Sequence, residues 1–302
     1  MRRTLSTGAA MPDHRAAYLG ASGRIGGLLR VAERLFPEDA PGCLWQYRAA
    51  DWCTENSFLW PDFRDPAPLV AVRSQHGFDC ILIFSGASGD KDDPDSMRAH
   101  VTTVDHAITA GLRAGVSRFL VASSSAVYGP DRGKPFREED LLAPINAYGH
   151  AKAEMEELCT RRAAMEGIEI CALRIGNVAG ADMLLGNARS RAGASLPLDI
   201  FPDGHSPERS YIGPVTLLRV LRALSTLQSL PPVLNLAGAR PVAMSDLLDA
   251  AGVPWTARPR TDAGHQKISL ATSRLARLCP EIELKASAQE IVAEWNAVRA
   301  GT

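Results

Sequence analysis

Tyr148 and Lys152 stand four residues apart in N-A-Y-G-H-A-K, twenty-odd residues beyond three consecutive serines, Ser123 to Ser125. A free phenol titrates near pH ~10, so an ordinary tyrosine is protonated at neutral pH. Residues four apart on a helix share a face, and an ammonium group there stabilises a phenolate by Coulomb attraction. Such a phenol can take a proton from an alcohol or give one to a ketone. Alone, the spacing says little, because Y-x-x-x-K recurs by chance on surface helices. The surrounding elements decide how it is read.

Gly20, Gly23 and Gly26 form G-x-x-G-x-x-G directly after a short apolar run at 16–19 and before an amphipathic stretch reaching about residue 36. Between a strand and a helix, glycines let backbone amides approach a pyrophosphate, and the helix N-terminus adds partial positive charge. A tight turn that holds no ligand would carry the same glycines. Dinucleotide sites often place an acid at the end of the second strand to bind the adenosine ribose. Here C-L-W-Q-Y-R ends in Arg48, and Asp51 comes three residues late. Arg24 lies inside the glycine turn itself. Two guanidinium groups suit a 2′-phosphate, which modestly favours NADP over NAD as the cofactor. If both are merely solvated, the choice stays open.

The chain has 302 residues, 46% hydrophobic and 22% charged, ordinary values for a globular enzyme. A net charge of -1 gives no field drawing it to nucleic acid or an anionic membrane. No apolar run approaches the ~20 residues that span a bilayer. Two N-terminal arginines are followed by no apolar stretch, so a cytoplasmic protein without a secretory signal is expected. Residues 1–13 read as a frayed tail, with Met11 an alternative start. The six cysteines (43, 53, 80, 159, 171, 279) include no C-x-x-C pair and are expected to be reduced. The seven histidines form no H-x-H or H-x-x-x-H cluster, so no metal site is expected.

Apolar runs at 16–19, 43–47, 58–60, 79–84, 118–122 and 168–174 alternate with helical patterns, the longest at 97–114 and 145–166. That rhythm predicts an α/β fold, a Rossmann-type doubly wound parallel sheet with helices on both faces. It spans residues 14–180. Residues 181–302, with Gly-, Pro- and Ser-rich turns at 181–208, read as a small C-terminal substrate lobe with elements returning to the main sheet. Helices are expected there at 214–227, 244–251 and 287–298, and a strand at 233–236.

From about residue 16 to 240 these segments resemble the extended short-chain dehydrogenase/reductase family, the NAD(P)-dependent nucleotide-sugar epimerases and dehydratases. The resemblance rests on G-A-S-G-R-I-G at 20–26, D-F-R-D at 62–65, F-S-G at 84–86 and S-S-S-A-V-Y-G at 123–129. It continues in P-I-N-A-Y-G-H-A-K at 144–152, L-R-I-G-N-V-A-G at 173–180 and R-S-Y-I at 209–212. It implies that Gly20, Ser22, Gly23, Arg24, Ile25 and Gly26 cradle the cofactor, with Arg48 near its ribose. Asp62 and Phe63 would flank adenine, and Phe84, Ser85 and Gly86 would pass beneath the cofactor. Ser124, with Ser125 as the fallback, would hold the reacting oxygen against Tyr148, while Lys152 also binds the nicotinamide ribose. Asn177 and Arg209 would grip the nucleotide part of a substrate; a structural turn and a surface cation are their plain alternatives.

The chain departs from the family pattern at three places. His100 stands where an Asn is usual, R-S-Y-I-G-P lacks an acid and a histidine, and Ser125–Ala126 replaces the acidic pair of dehydratases. The expected activity is therefore an epimerase or reductase acting at a carbinol of a nucleotide-activated sugar, with a small-molecule substrate and no nucleic-acid or membrane partner. The alternatives are an NADP-dependent reductase of a non-nucleotide carbonyl and a cofactor-binding regulator with little catalysis. Retention of the Tyr/Lys pair argues against the regulator. The two long helices could pair as the four-helix contact of a homodimer, an arrangement common in that family.

Overall fold

The computed structural model of the chain describes residues 16–39, 42–54, 56–86, 94–190, 195–261 and 266–301. The tail at 1–13, with Met11, lies outside the described residues. The chain runs β1 (Ala16–Leu19), α1 (Arg24–Leu35), β2 (Cys43–Tyr47), β3 (Ser57–Leu59), α2 (Ala67–His76), β4 (Cys80–Ile83), α3 (Pro94–Arg113), β5 (Arg118–Ser124), α4 (Ala147–Glu166) and β6 (Glu169–Ile175). It continues through β7 (Asn177–Val178), α5 (Leu185–Ser190), β8 (Leu196–Ile200), β9 (Glu208–Arg209), β10 (Tyr211–Ile212), α6 (Pro214–Thr226) and β11 (Val233–Leu236). Then follow β12 (Val242–Ala243), α7 (Met244–Ala250), β13 (Trp255–Pro259), β14 (Lys267–Ile268), α8 (Ser273–Leu278) and α9 (Ala288–Ala300).

Strands with no polar alternation are buried on both faces, and β1, β2 and β4 are buried at every position. They join a seven-stranded sheet in the order β11-β6-β5-β4-β1-β2-β3, parallel throughout. Along β1, Ala16 and Tyr18 face one core with Leu28, Leu29, Val220 and Trp295 of α1, α6 and α9. Ala17 and Leu19 face the other, with Val104, Ile108 and Met155 of α3 and α4. This is the expected doubly wound sheet.

The strand order runs outward from β1 in both directions, so the chain leaves β1 and β4 toward opposite faces. A crevice opens beyond their C-terminal ends, as it does at any such switch point. Register makes the two ends level, because Leu19 lies beside Ile83 and also beside Gln46. Gly20 and Phe84 therefore emerge at the crevice together.

After residue 180 the chain adds small sheets, β13 on β8 and β9 between β12 and β14. It also returns to the main body, since β11 extends the large sheet along β6. Helix α9 starts at a capping box in which Ser287 accepts from the Glu290 amide and Glu290 reaches back. Among the described residues no helix is long and apolar enough to cross a membrane, and no three His, Cys, Asp or Glu side chains form a metal-binding group.

Candidate active site

The glycine turn is shaped by contact with the chain leaving β4. Gly20 has φ +100°, and a Cβ there would stand 2.8 Å from the Ser85 amide. At Gly26 a Cβ would collide with the Gly20 carbonyl. Behind the turn, Gly20 N–H donates to Gln46 Oε1 at 3.0 Å, while Gln46 Nε2 donates to the Trp60 carbonyl at 2.7 Å. Gln46 is fully buried and was not singled out in the sequence; a lone amide inside an otherwise apolar strand was its only signal. Helix α1 opens at Gly23 with no side-chain cap and no acid in its first turn, leaving those amides for an anion.

Across the crevice, Asn146 caps α4 by accepting from the Gly149 amide at 2.8 Å. Gly149 packs its backbone on the loop after β5, where a Cβ would lie 2.6 Å from the Ala126 carbonyl. That contact sets Tyr148 beside Ser124, whose hydroxyl hydrogen-bonds the phenol. Lys152 is buried, and its Nζ donates to the Ala122 carbonyl at 2.7 Å.

The phenol lies above its ordinary value, although the sequence led us to expect that Lys152 would lower it. The Lys152 Nζ lies 5.9 Å from the Tyr148 ring centroid and is engaged by a backbone oxygen. Burial pushes the Tyr148 phenol above its ordinary value, opposed by the Ser124 hydrogen bond and the Arg24 guanidinium. Burial also pushes the Lys152 ammonium down to about 8. Arg24 Nη1 sits 3.7 Å from Met183 Sδ.

These groups line a cleft of about 870 Å³. Of the expected site residues it gathers Ser22, Gly23, Arg24, Ile25, Phe84, Gly86, Ser124, Tyr148, Lys152 and Asn177, with Gly20, Gly26 and Ser85 packed behind the turn. Asp182 also lines it. Burial pushes that carboxyl up, and the Tyr211 hydroxyl donates to it at 2.6 Å. His100 completes the wall, its ring edge-on to Tyr148 with centroids 5.5 Å apart.

Besides those three behind the turn, five expected residues are not among those lining the cleft. Asp62 is half-buried and held by Arg64 at 2.7 Å, which lowers its carboxyl to about 2. Phe63 is buried against Trp60 with centroids 4.3 Å apart, and the exposed Arg48 lies over its ring at 5.7 Å. Ser125 opens the single 3₁₀ turn after β5. Arg209 Nη1 donates to the Glu208 and Gln266 carbonyls at 2.7 and 2.9 Å, so backbone oxygens engage the guanidinium that was expected to grip a nucleotide.

Three motif residues, Ser123, Tyr128 and Arg174, have a structural task. Arg174 pairs with Glu156 at 2.7 Å, both 5% exposed, and donates to the Tyr128 hydroxyl at 2.9 Å. Tyr128 donates to Asn235 Oδ1 at 2.7 Å, Asn235 donates to the Phe136 carbonyl, and Ser123 donates to Glu156.

The NAD dependent epimerase/dehydratase family profile matches residues 19–206. This chain belongs to that family. It is 32% identical over 118 residues to UDP-glucose 4-epimerase of Azospirillum brasilense, covering 38% of this chain and 34% of the relative. It is 27% identical over 258 residues to the dTDP-6-deoxy-L-talose 4-dehydrogenase (NAD(P)(+)) of Kitasatospora kifunensis, 80% of each chain. The chain thus spans about a third of the first relative's length and about four fifths of the second's. Among solved structures, this family member resembles UDP-glucose-4-epimerase from Stenotrophomonas maltophila with bound NAD and formylated UDP-arabinopyranose. That match has a TM-score of 0.78 at 19% identity, covering 95% of this chain and 98% of that one. UDP-glucose 4-epimerase from Brucella ovis in complex with NAD gives 0.76 at 20% identity, with 93% and 97% covered. At such identities the likeness speaks for the fold.

Proposed function

We propose that this protein is an NAD(P)-dependent oxidoreductase or epimerase acting at a carbinol of a nucleotide-activated sugar. The observation that carries this reading is the placement of Ser124, Tyr148 and Lys152 on the wall of the crevice floored by the glycine turn. The cradle fits a dinucleotide, because side chains at Gly20 or Gly26 would close it. Ser22 to Ile25 would hold the pyrophosphate and Lys152 the nicotinamide ribose. A bound NAD(P) supplies the hydride acceptor or donor. Ser124 holds the reacting oxygen, and Tyr148 moves the proton at that oxygen. A phenol held above its ordinary value is protonated at neutral pH, which suits proton donation to a carbonyl.

The test is Tyr148→Phe, assayed on UDP- and dTDP-linked hexoses with both cofactors. Turnover should fall roughly 10²- to 10⁴-fold while cofactor affinity stays within about twofold. Unchanged turnover rejects the assignment. NADP is the cofactor we favour, since β2 is followed directly by the exposed Arg48, with the nearest acid, Asp51, three residues later. Calorimetry on Arg48→Ala should then show weakened NADP binding and unaltered NAD binding.

One observation favours a second reading, reduction of a carbonyl that carries no nucleotide. Arg209, the expected phosphate ligand, is engaged by the Glu208 and Gln266 carbonyls. Binding of UDP and dTDP to Arg209→Ala separates the two readings: weaker binding supports the nucleotide sugar, and unchanged binding supports the smaller substrate.

A further inference from the structure

Among the described residues, the cleft is lined by two standing cations, Arg24 and Lys152, and by one acid, Asp182. Lys152 is turned to the Ala122 carbonyl, which it reaches at 2.7 Å. Asp182 accepts from the Tyr211 hydroxyl at 2.6 Å and from the Leu184 and Leu185 amides, both at 3.2 Å. Arg24 has no anionic partner among the described residues. Its Nη1 meets Met183 Sδ at 3.7 Å, and a thioether is a weak acceptor. A guanidinium that borders a cleft with no anion beside it is set to take one from a ligand.

The reach of Arg24 shows on which side that ligand lies. The sequence pairs it with Arg48 at a 2′-phosphate, yet Arg48 lies over the Phe63 ring at 5.7 Å and is not among the residues lining the cleft. Arg24 instead stretches from the first residue of α1 to the segment after β7, which carries Met183. It also acts through space on the Tyr148 phenol, favouring the phenolate. Backbone amides at the start of α1 suffice for a dinucleotide pyrophosphate, so this side chain is left for the substrate. Arg209, the cation expected to grip a substrate phosphate, is engaged by the Glu208 and Gln266 carbonyls.

We propose that Arg24 binds a carboxylate carried on the ring carbon beside the reacting carbinol, so that the site selects an acidic sugar over a neutral one. The inference rests on the function proposed above and names its substrate class, a uronate. A carboxylate there stands close to the oxygen held by Ser124 and Tyr148, whereas a diphosphate across the ring does not. The planar fork of a guanidinium matches the two oxygens of a carboxylate. An anion entering the cleft gives up water, and a cation already in place replaces those bonds. A nucleotide-linked uronate and a free one carry the same group, and the test separates them.

The test uses the full chain loaded with NAD or NADP, and compares UDP-glucuronate, UDP-glucose and free glucuronate. Wild type should favour UDP-glucuronate over UDP-glucose by at least about 10-fold in kcat/KM. Arg24→Gln should lower kcat/KM for UDP-glucuronate roughly 10²-fold, mostly through KM, and at least about 10-fold more than for UDP-glucose. Arg24→Lys keeps the charge and loses the fork, so it should fall between the two. Calorimetry on NAD-loaded Tyr148→Phe should show the same preference for UDP-glucuronate without turnover.

Equal losses on both sugars, or a wild type indifferent to the carboxylate, overturn the proposal. So does a loss of NAD affinity in Arg24→Gln as large as the loss for UDP-glucuronate, which would give the side chain to the cofactor. Free glucuronate turned over with the same dependence on Arg24 supports the carboxylate site and assigns it to the smaller substrate. Activity confined to UDP-glucuronate supports it and assigns it to the nucleotide sugar. Tyr148→Phe with full turnover defeats the functional reading itself. An inactive Tyr148→Phe beside an Arg24→Gln variant that keeps the wild-type preference defeats only the role of Arg24.

Discussion

Ser123 and Ser124 are adjacent in the chain and belong to two different polar clusters. Ser123 donates to Glu156, which binds Arg174, which in turn reaches Tyr128 and Asn235. Ser124 meets Tyr148, near the orphaned nitrogen of His100 and the buried ammonium of Lys152. One helix serves both clusters, because Tyr148, Lys152 and Glu156 fall at successive i, i+4 positions along α4. The inner cluster pairs its charges and hydroxyls among themselves. The outer one keeps groups whose protonation has been shifted by burial and whose partners are incomplete. Closed networks hold elements in register, whereas incomplete ones mark where a ligand completes the bonding.

The strongest way to break this comparison is to open the inner cluster. Glu156→Ala should cost about 3–5 kcal/mol in urea unfolding, because Arg174 would be left buried and uncompensated. A loss below about 1 kcal/mol would mean that the network is not structural.

Next in size is acid sensitivity at the outer cluster. His100 binds its proton at about 4 in the folded chain, below the 6.5 of the free group, so the unfolded chain takes up protons first as pH falls. Stability should therefore drop from about pH 6.5 toward 4, by up to about 3 kcal/mol, and His100→Phe should flatten that slope. Lys152, at about 8 against 10.5, works at the other end of the scale: stability should rise between those values as the unfolded chain holds its proton longer. Parallel slopes in the wild type and His100→Phe would show that burial does not govern this site.

Gly26→Ala should cost about 1–3 kcal/mol, since the new methyl meets the Gly20 carbonyl, and calorimetry should show weaker cofactor binding. The smallest effect belongs to a pair outside both clusters. Asp62→Asn should leave the urea midpoint unmoved, because the exposed Arg64 is its partner.

What could be read from the sequence was local. The glycine turn, the strands of the parallel sheet and the Tyr148/Lys152 face follow from spacing within a few residues. The ends of β3 and β5 differ from expectation by one or two residues, within the ordinary spread of such boundaries. Gln46 and Arg174 escaped because their tasks appear only when distant segments meet: Gln46 with Gly20 and Trp60, Arg174 with Glu156 and Tyr128. Residues chosen by type fared according to their competitors. Arg209 found backbone oxygens, Asp62 found Arg64, and Phe63 found Trp60. His100 was visible only as a departure from a pattern. Its burial and its contact with Tyr148 depend on the packing of α3 beside α4.

Gly149 has a wider consequence. Where α4 rests its main chain directly on the Ala126 carbonyl, no side chain intervenes between the two segments that carry the hydroxyls. Their separation is therefore gauged by peptide against peptide, indifferent to whatever surrounds them. Evolution can rebuild the region beyond Gly180 to admit new molecules without retuning the reaction, so selectivity and reactivity are free to drift apart.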